Sequence, residues 1–339
     1  MMLQGHTVDA VLLAELRDSS SMLYNVWLYF RGITAPLFFS VSGFLMGFLL
    51  SDRYGEKYKA LLKKNLYRGC LLIIIGYVLR INISALYNFG DLSNPGFRYF
   101  LSTHVLHIIG VAVLLIALVH LLFSNRKHNK LLTLFFVAAG GIAFYIELEA
   151  QAGLFDSLPL YLSNYFSKDG GSVFIVFPWI GYSFFGVALG RFYQNLKTDV
   201  SINLEYYGLS LSLILINLAT IANLFAEITS VDIGNYATHY LWRYSWLGYS
   251  LLILCLFLLI EKKKNINQYL QKIGSKTLAI FVIHELVLFG SVSGYGLAKL
   301  YKQSLSWSES LLLALLVIFL SLFFAFLPSA IKKINNKSS

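Results

Sequence analysis

His6 and Asp9 stand three residues apart in MMLQGHTVDAVL, a spacing that puts both on one face of a helix. A carboxylate bonded to one imidazole nitrogen fixes the tautomer and raises the basicity of the other. The pair therefore has the composition of a general base and its orienting group. It would serve equally as a polar contact between packed helices. Arg80 is the one arginine left inside an apolar run. As about the twelfth residue of a span starting near Gly69, with a rise of about 1.5 Å per residue, it is expected roughly 16 Å deep. A guanidinium there needs an anion, and two readings stand: an ion pair with Asp9 or Glu147, or a planar fork on the phosphates of a ligand. His104 and His107 are one turn apart, after Ser102 and Thr103. A metal centre takes three or more ligands, and no third is evident beside them. They are read as lining a polar cavity, and no metal is expected. His284 and Glu285 are neighbours, which face different directions on a helix, so they are not read as a dyad with each other. His284 could meet His107 or Arg80 across the bundle, a pairing that sequence alone does not show.

These groups acquire meaning from the elements that carry them. The chain is 57% hydrophobic and only 13% charged, with a mean hydropathy of +0.66. Soluble domains carry about 25% charge, so this is an integral membrane protein. An ionisable side chain at membrane depth is costly and marks a pathway or a site. Ten apolar segments are predicted: 1–16, 32–51, 69–87, 104–123, 131–149, 173–190, 204–226, 247–260, 277–298 and 309–328. Most approach the span of about 20 residues that a membrane helix needs. None has the period-2 alternation of a membrane strand. The expected fold is an all-α polytopic bundle of about ten transmembrane helices, forming a single domain over 1–339. The first segment carries Gln4, His6, Asp9 and Glu15 and is short for the purpose. It is read either as re-entrant or, preferably, as the truncated remainder of a longer helix. In RGITAPLFFSVSGFLMGFLL, the small residues Ala35, Ser40, Ser42, Gly43 and Gly47 would let neighbouring helices approach closely.

The net charge of +10 follows topology. Lys and Arg concentrate in alternate loops, at 53–68, 126–130, 191–197, 262–276 and 332–337, which makes those loops and both termini cytoplasmic. A nucleic-acid partner is thereby disfavoured. Cys70 and Cys255 both lie in apolar runs and imply no disulfide framework. The two longest polar stretches among the outer loops are expected at 151–172 and 229–246. The second is crowded with aromatics and is read as an interfacial belt in preference to a sugar platform. Glu147, Glu149 and Glu227 are expected at solvated helix ends, and His120, His128 and His239 near loops.

Five stretches occur in order: MMLQGHTVD, RGITAPLFFSVSGF, VLHIIGVAVL, FPWIGYSFFGVALGR and FVIHE. With them the chain resembles the bacterial relatives of heparan-α-glucosaminide N-acetyltransferase, within the type-3-like transmembrane acyltransferase superfamily. The likeness runs from His6 to about His284. It implies a multi-pass enzyme of the bacterial plasma (inner) membrane that takes an acyl group, usually acetyl from acetyl-CoA, on the cytoplasmic side. The group passes to an extracytoplasmic glycan or another hydroxyl or amine acceptor. By position, Gly5-His6 matches the histidine that closes the first helix of the type-3 enzymes, which implies His6 as the catalytic base with Asp9 beside it. Arg80 would hold the nucleotide phosphates, and Trp179, Ser40 and Ser42 would line the tunnel, with His104, His107 and His284 as further substrate contacts. Two departures stand out. The basic-acidic stretch ending in Arg-Gly that precedes the Gly-His in such families is not seen. The lysosomal branch uses a histidine in the loop before its second helix, and residues 21–31 contain none. Two rival readings are a transporter or flippase without acyl chemistry, which matching inverted halves would support, and an inactive relative acting as a sensing or assembly partner.

Overall fold

The computed structural model describes residues 1–51, 55–123, 129–151, 153–196, 204–230, 234–263 and 267–335. Among them, every regular element is a helix. In order these are α1 (Met2–Val11), α2 (Met22–Ser51), α3 (Gly55–Arg80), α4 (Ile83–Tyr87), α5 (Pro95–Leu101), α6 (Val105–Leu122), α7 (Asn129–Gln151) and α8 (Leu160–Ser163). They continue with α9 (Val176–Leu196), α10 (Leu204–Thr229), α11 (Gly234–Lys263), α12 (Gln268–Ser275), α13 (Thr277–Phe289), α14 (Leu297–Tyr301) and α15 (Trp307–Asn335).

Among the described residues, six stretches are long and apolar enough to cross a membrane: Met22–Ser51, Pro95–Leu122, Lys130–Ala150, Glu205–Thr229, Thr238–Lys262 and Trp307–Pro328. A seventh is added if Gln268–Ser275 and Thr277–Ser293, bent by 61°, count as one broken span. The chain is thus an all-helical, multi-pass membrane protein. Helices α3 and α9 reach 26 and 21 residues, but with more polar composition. Of the basic positions that set the predicted orientation, Arg53, Arg126, Lys127, Lys197, Lys264 and Lys337 lie outside the described residues, as does His128.

Several boundaries differ from the hydropathy reading. Helix α2 begins at Met22, so residues 21–31 are mostly its first turns rather than a loop, and Arg31 is helical. Helix α3 ends at Arg80, because Asn82 starts the next helix by accepting from the Ala85 N–H at 2.8 Å. Arg80 therefore closes a helix rather than sitting mid-span. The segment expected over 277–298 stops at Phe289. Gly290 adopts φ +78° there, the left-handed conformation that ends helices. A Cβ at that position would lie 2.4 Å from the Tyr295 backbone. The aromatic run expected as a loop over 229–246 belongs mostly to α11, which starts at Gly234. Aromatics enriched at a membrane interface sit as readily on a helix end as on a loop.

Two compact units divide the chain: Met1–Thr34 with Val78–Phe97 and Lys263–Ser339, and Ala35–Tyr77 with Arg98–Lys262. In the first, α1 packs against α13, α14 and α15. In the second, α9 packs against α6 and α7, and glycines bring it against α2. A Cβ at Gly43 would lie 2.0 Å from the Ser183 carbonyl oxygen, and one at Gly47 would lie 2.2 Å from that of Val187. Reciprocally, a Cβ at Gly186 or Gly190 would lie 2.1 Å from the carbonyl oxygen of Ser40 or Phe44. Both helices carry a Gly-xxx-Gly pair, and the two pairs interlock backbone to backbone. Of the small residues singled out on α2, Gly43 and Gly47 have this use.

Candidate functional site

The site in the first unit depends on how α1 is held. This ten-residue helix has no side-chain N-cap and ends at Leu12 in an extended conformation. Its last carbonyls need donors. Arg17 folds back to supply them, bonding the Leu12 carbonyl through Nε and Nη2 at 3.2 Å each and the Asp9 carbonyl through Nη2. A cation there also complements the helix dipole. The chain beyond α1 forms a short parallel bridge with Leu305, whose N–H donates to the Val11 carbonyl at 3.0 Å while its carbonyl accepts from Leu13 at 2.9 Å. Val8 and Leu12 are buried with Ala314 of α15, inside a collar of Leu16, Tyr24, Trp27 and Trp307. Finally, the Asp9 carboxylate accepts from Arg31 Nη2 on α2 at 2.6 Å and lies 3.9 Å from Arg17 Nη1.

With α1 so fixed, the His6 ring meets α13. Its centroid lies 5.5 Å from that of His284, edge to face. His284 is completely buried and packs edge-on to Phe281 at 4.9 Å. Its Nε2 is 3.4 Å from Glu285 Oε1, yet neither ring nitrogen has a hydrogen-bond partner among the described residues. One nitrogen or oxygen from each of His6, His284 and Glu285 falls within 4.8 Å of the others. Two imidazoles and a carboxylate converge in a largely dry setting, a group able to take and pass on a proton.

Two expectations change here. Among the described residues no hydrogen bond joins His6 to Asp9, because the carboxylate is turned to Arg31 and Arg17. Asp9 anchors the helix that carries His6. His284 meets His6, and the Glu285 carboxylate comes within 3.4 Å of its Nε2: the Cβ directions of adjacent residues diverge, but the long glutamate chain reaches back towards the neighbouring ring without hydrogen-bonding it. Arg80 is buried at the end of α3, where a cation is favoured by the helix dipole. Removing the Asp9 carboxylate (Asp9→Ala) is expected to lower stability by about 1 kcal/mol, the scale of a partly exposed ion pair. Thermal unfolding in detergent checks this.

In the second unit, His104 and His107 begin α6. His104 Nδ1 accepts from the Leu106 N–H at 3.1 Å, and His107 Nδ1 accepts from the His104 N–H at 3.2 Å. They form a reciprocal cap at the helix start. The His107 ring also packs edge-on to Tyr77 at 4.4 Å, whose hydroxyl is 2.9 Å from that of Tyr165. Trp179 stacks on Phe39 at 5.5 Å and lies against Phe174 at 4.8 Å. The Ser40 hydroxyl is buried with no partner among the described residues, and Ser42 is half-buried. Glu147, expected to be solvated, is buried and forms a two-pronged ion pair with Arg243, at 2.6 Å from Nε to Oε2 and through Nη2 to Oε1. His120, set aside as a loop residue, is also buried. Its Nδ1 lies 2.9 Å from the Ile116 carbonyl and its Nε2 3.1 Å from Arg191 Nη1. The carbonyl is an acceptor, so Nδ1 carries the proton and Nε2 accepts from the arginine.

A family profile described as "Heparan-alpha-glucosaminide N-acetyltransferase, catalytic" matches residues 1–220. The chain belongs to this family. The matched stretch includes His6, Asp9, Arg80, His104, His107 and Trp179 and ends before His284 and Glu285. No curated protein and no solved structure matches the chain. Heparan-α-glucosaminide N-acetyltransferases are membrane acetyltransferases that in general take acetyl-CoA as donor and a glycan as acceptor. The resemblance is therefore a family relationship over about two-thirds of the chain, which includes four of the five sequence stretches and ends before FVIHE.

Proposed function

We propose that this protein is an acyl-CoA-dependent acetyltransferase, with one acyltransferase domain over 1–339. It moves an acetyl group from acetyl-CoA on the cytoplasmic side of a bacterial inner membrane to an amine or hydroxyl of an extracytoplasmic glycan. The observation that carries this reading is the family match over residues 1–220, with His6 inside it. The matched stretch runs through segments of both compact units, which supports their working as one domain. The basic loops support cytoplasmic termini and a bundle of about ten helices.

His6 is the proposed general base. As the acceptor nitrogen or oxygen attacks the thioester carbonyl, His6 takes the acceptor proton. The carbon–sulfur bond breaks, and the proton is returned to the departing thiolate, so the products are the acetylated acceptor and CoA thiol. His284 and Glu285 keep the His6 ring in place and give its proton a second carrier. Asp9 acts one step removed, through the arginines that fix α1. Arg80 is the proposed partner of the donor phosphates. In the second unit, Trp179, Ser40, Ser42, His104 and His107 are proposed to line the path of a substrate.

The test uses sealed membrane vesicles of both orientations, acetyl-labelled acetyl-CoA outside and a glucosamine-terminated acceptor inside. Label is expected on the acceptor only where the cytoplasmic face is outward. Passage of the sugar across the membrane without acetylation would favour a transporter and overturn the reading.

A further inference from the structure

The environment of His284 calls for something more than a proton path. A completely buried imidazole with both nitrogens unbonded is rare, because a buried polar group without a partner forfeits its solvation. Such a group points to a ligand that the protein atoms do not supply. The atoms facing that space are an imidazole nitrogen from His6, one from His284 and a carboxylate oxygen from Glu285, all within 4.8 Å of one another.

Their spacing fits one kind of ligand. Zn²⁺ binds imidazole nitrogen and carboxylate oxygen at about 2.0–2.2 Å, so two ligands in tetrahedral coordination sit about 3.4 Å apart. His284 Nε2 and Glu285 Oε1 are already 3.4 Å apart. Small side-chain rotations of His6 and Glu285 would close the remaining gaps. Two imidazoles and one carboxylate suit a borderline divalent cation and leave a fourth position open. The local charge permits it, since the neighbouring Arg31 is neutralised by Asp9 at 2.6 Å. This trio differs from the His104–His107 pair weighed in the sequence, whose Nδ1 atoms are both committed to backbone N–H groups.

We propose that His6, His284 and Glu285 form a binding site for Zn²⁺ or a cation of the same class, and that its occupancy silences the enzyme. The ion would take the His6 lone pair that otherwise receives the acceptor proton. The silencing, though not the binding, rests on the acetyltransferase reading above.

The experiment takes the full chain, purified in detergent without a polyhistidine tag and stripped with a chelator. Zn²⁺ binding is measured by equilibrium dialysis, and Co²⁺ is used as a spectroscopic substitute. CoA thiol release from acetyl-CoA is followed in parallel with and without Zn²⁺. Wild type is expected to bind one ion that His284→Ala and Glu285→Gln bind at least about tenfold more weakly, the loss typical when even a supporting group is removed. The Co²⁺ complex should show the intense visible bands of low coordination, and Zn²⁺ should stop thiol release in proportion to occupancy. Equal binding by wild type and both variants would overturn the site. Site-specific binding with undiminished thiol release would overturn the silencing and count against His6 as the base. A metal-free wild type that releases no thiol would fail the acetyltransferase reading, while dialysis still decides the metal site. Glu285→Gln keeps the side chain's size, so a folding defect in His284→Ala does not blunt the test.

Discussion

Gly186→Leu is expected to yield no folded, monodisperse protein. Its Cβ alone would lie 2.1 Å from the Ser40 carbonyl oxygen, and 3.0 Å from the Phe44 nitrogen. Overpacking against side chains costs about 1–3 kcal/mol because they can move. Here the obstacle is the backbone of α2, so the two helices must separate. Separation would also break the contacts at Gly43, Gly47 and Gly190, and the hydrogen bond from Ser183 Oγ to the Phe39 carbonyl at 3.3 Å. Within a membrane, close packing is the main force holding helices together. Gly43→Leu should behave alike from the other side. Gly274 on α12 is the control, since a Cβ there meets nothing within 4 Å. Gly274→Ala should be neutral or slightly stabilising, by up to about 1 kcal/mol. Size-exclusion profiles and thermal unfolding in mild detergent check all three. A well-behaved Gly186→Leu protein would contradict the interlocked α2–α9 geometry.

The second large effect is expected at Glu147. Its side chain is 5% exposed and that of Arg243 20%, so removing the carboxylate strands the Arg243 charge. Glu147→Ala is expected to cost about 3–5 kcal/mol, the range for a broken buried pair. Arg243→Ala should cost a similar amount. The double replacement Glu147→Leu with Arg243→Leu should recover most of the loss, because apolar residues of similar volume often substitute for a buried pair at little cost. Melting temperatures of wild type, Glu147→Leu, Arg243→Leu and the double replacement form a mutant cycle. Additive losses would mean that the two charges act independently.

The fold class was legible because hydropathy reports burial in lipid directly, and six of the predicted apolar segments appear as long apolar helices. Helix ends were less legible. Arg80 looked mid-span because polar residues 55–68 hid the first half of α3, and the break at Gly290 depends on a left-handed turn that hydropathy does not register. At the site, residue types were informative and partnerships were not. His6 and His284 stood out as ionisable groups in apolar surroundings. Their meeting depends on the Arg17 cap, the Leu305 bridge and the Asp9–Arg31 pair, contacts between segments remote in sequence. Glu285 was set apart from His284 by a rule about Cβ directions, which a long side chain can circumvent. In sequence Glu147 reads as a solvated helix end and His120 as a residue near a loop. Their arginine partners, Arg243 and Arg191, come from other helices, and no local pattern announces such pairs.

The most direct test of the proposed chemistry is the release of CoA thiol from acetyl-CoA by the purified chain with an amino-sugar acceptor, comparing wild type with His6→Ala. A positioned general base contributes roughly 10²- to 10⁴-fold to rate. Thiol release should therefore fall by at least about a hundredfold, with the unfolding temperature little changed because His6 donates no hydrogen bond to its neighbours among the described residues. His6→Ala protein that releases thiol within a few-fold of wild type would contradict the role assigned to His6 and to the cluster built around it.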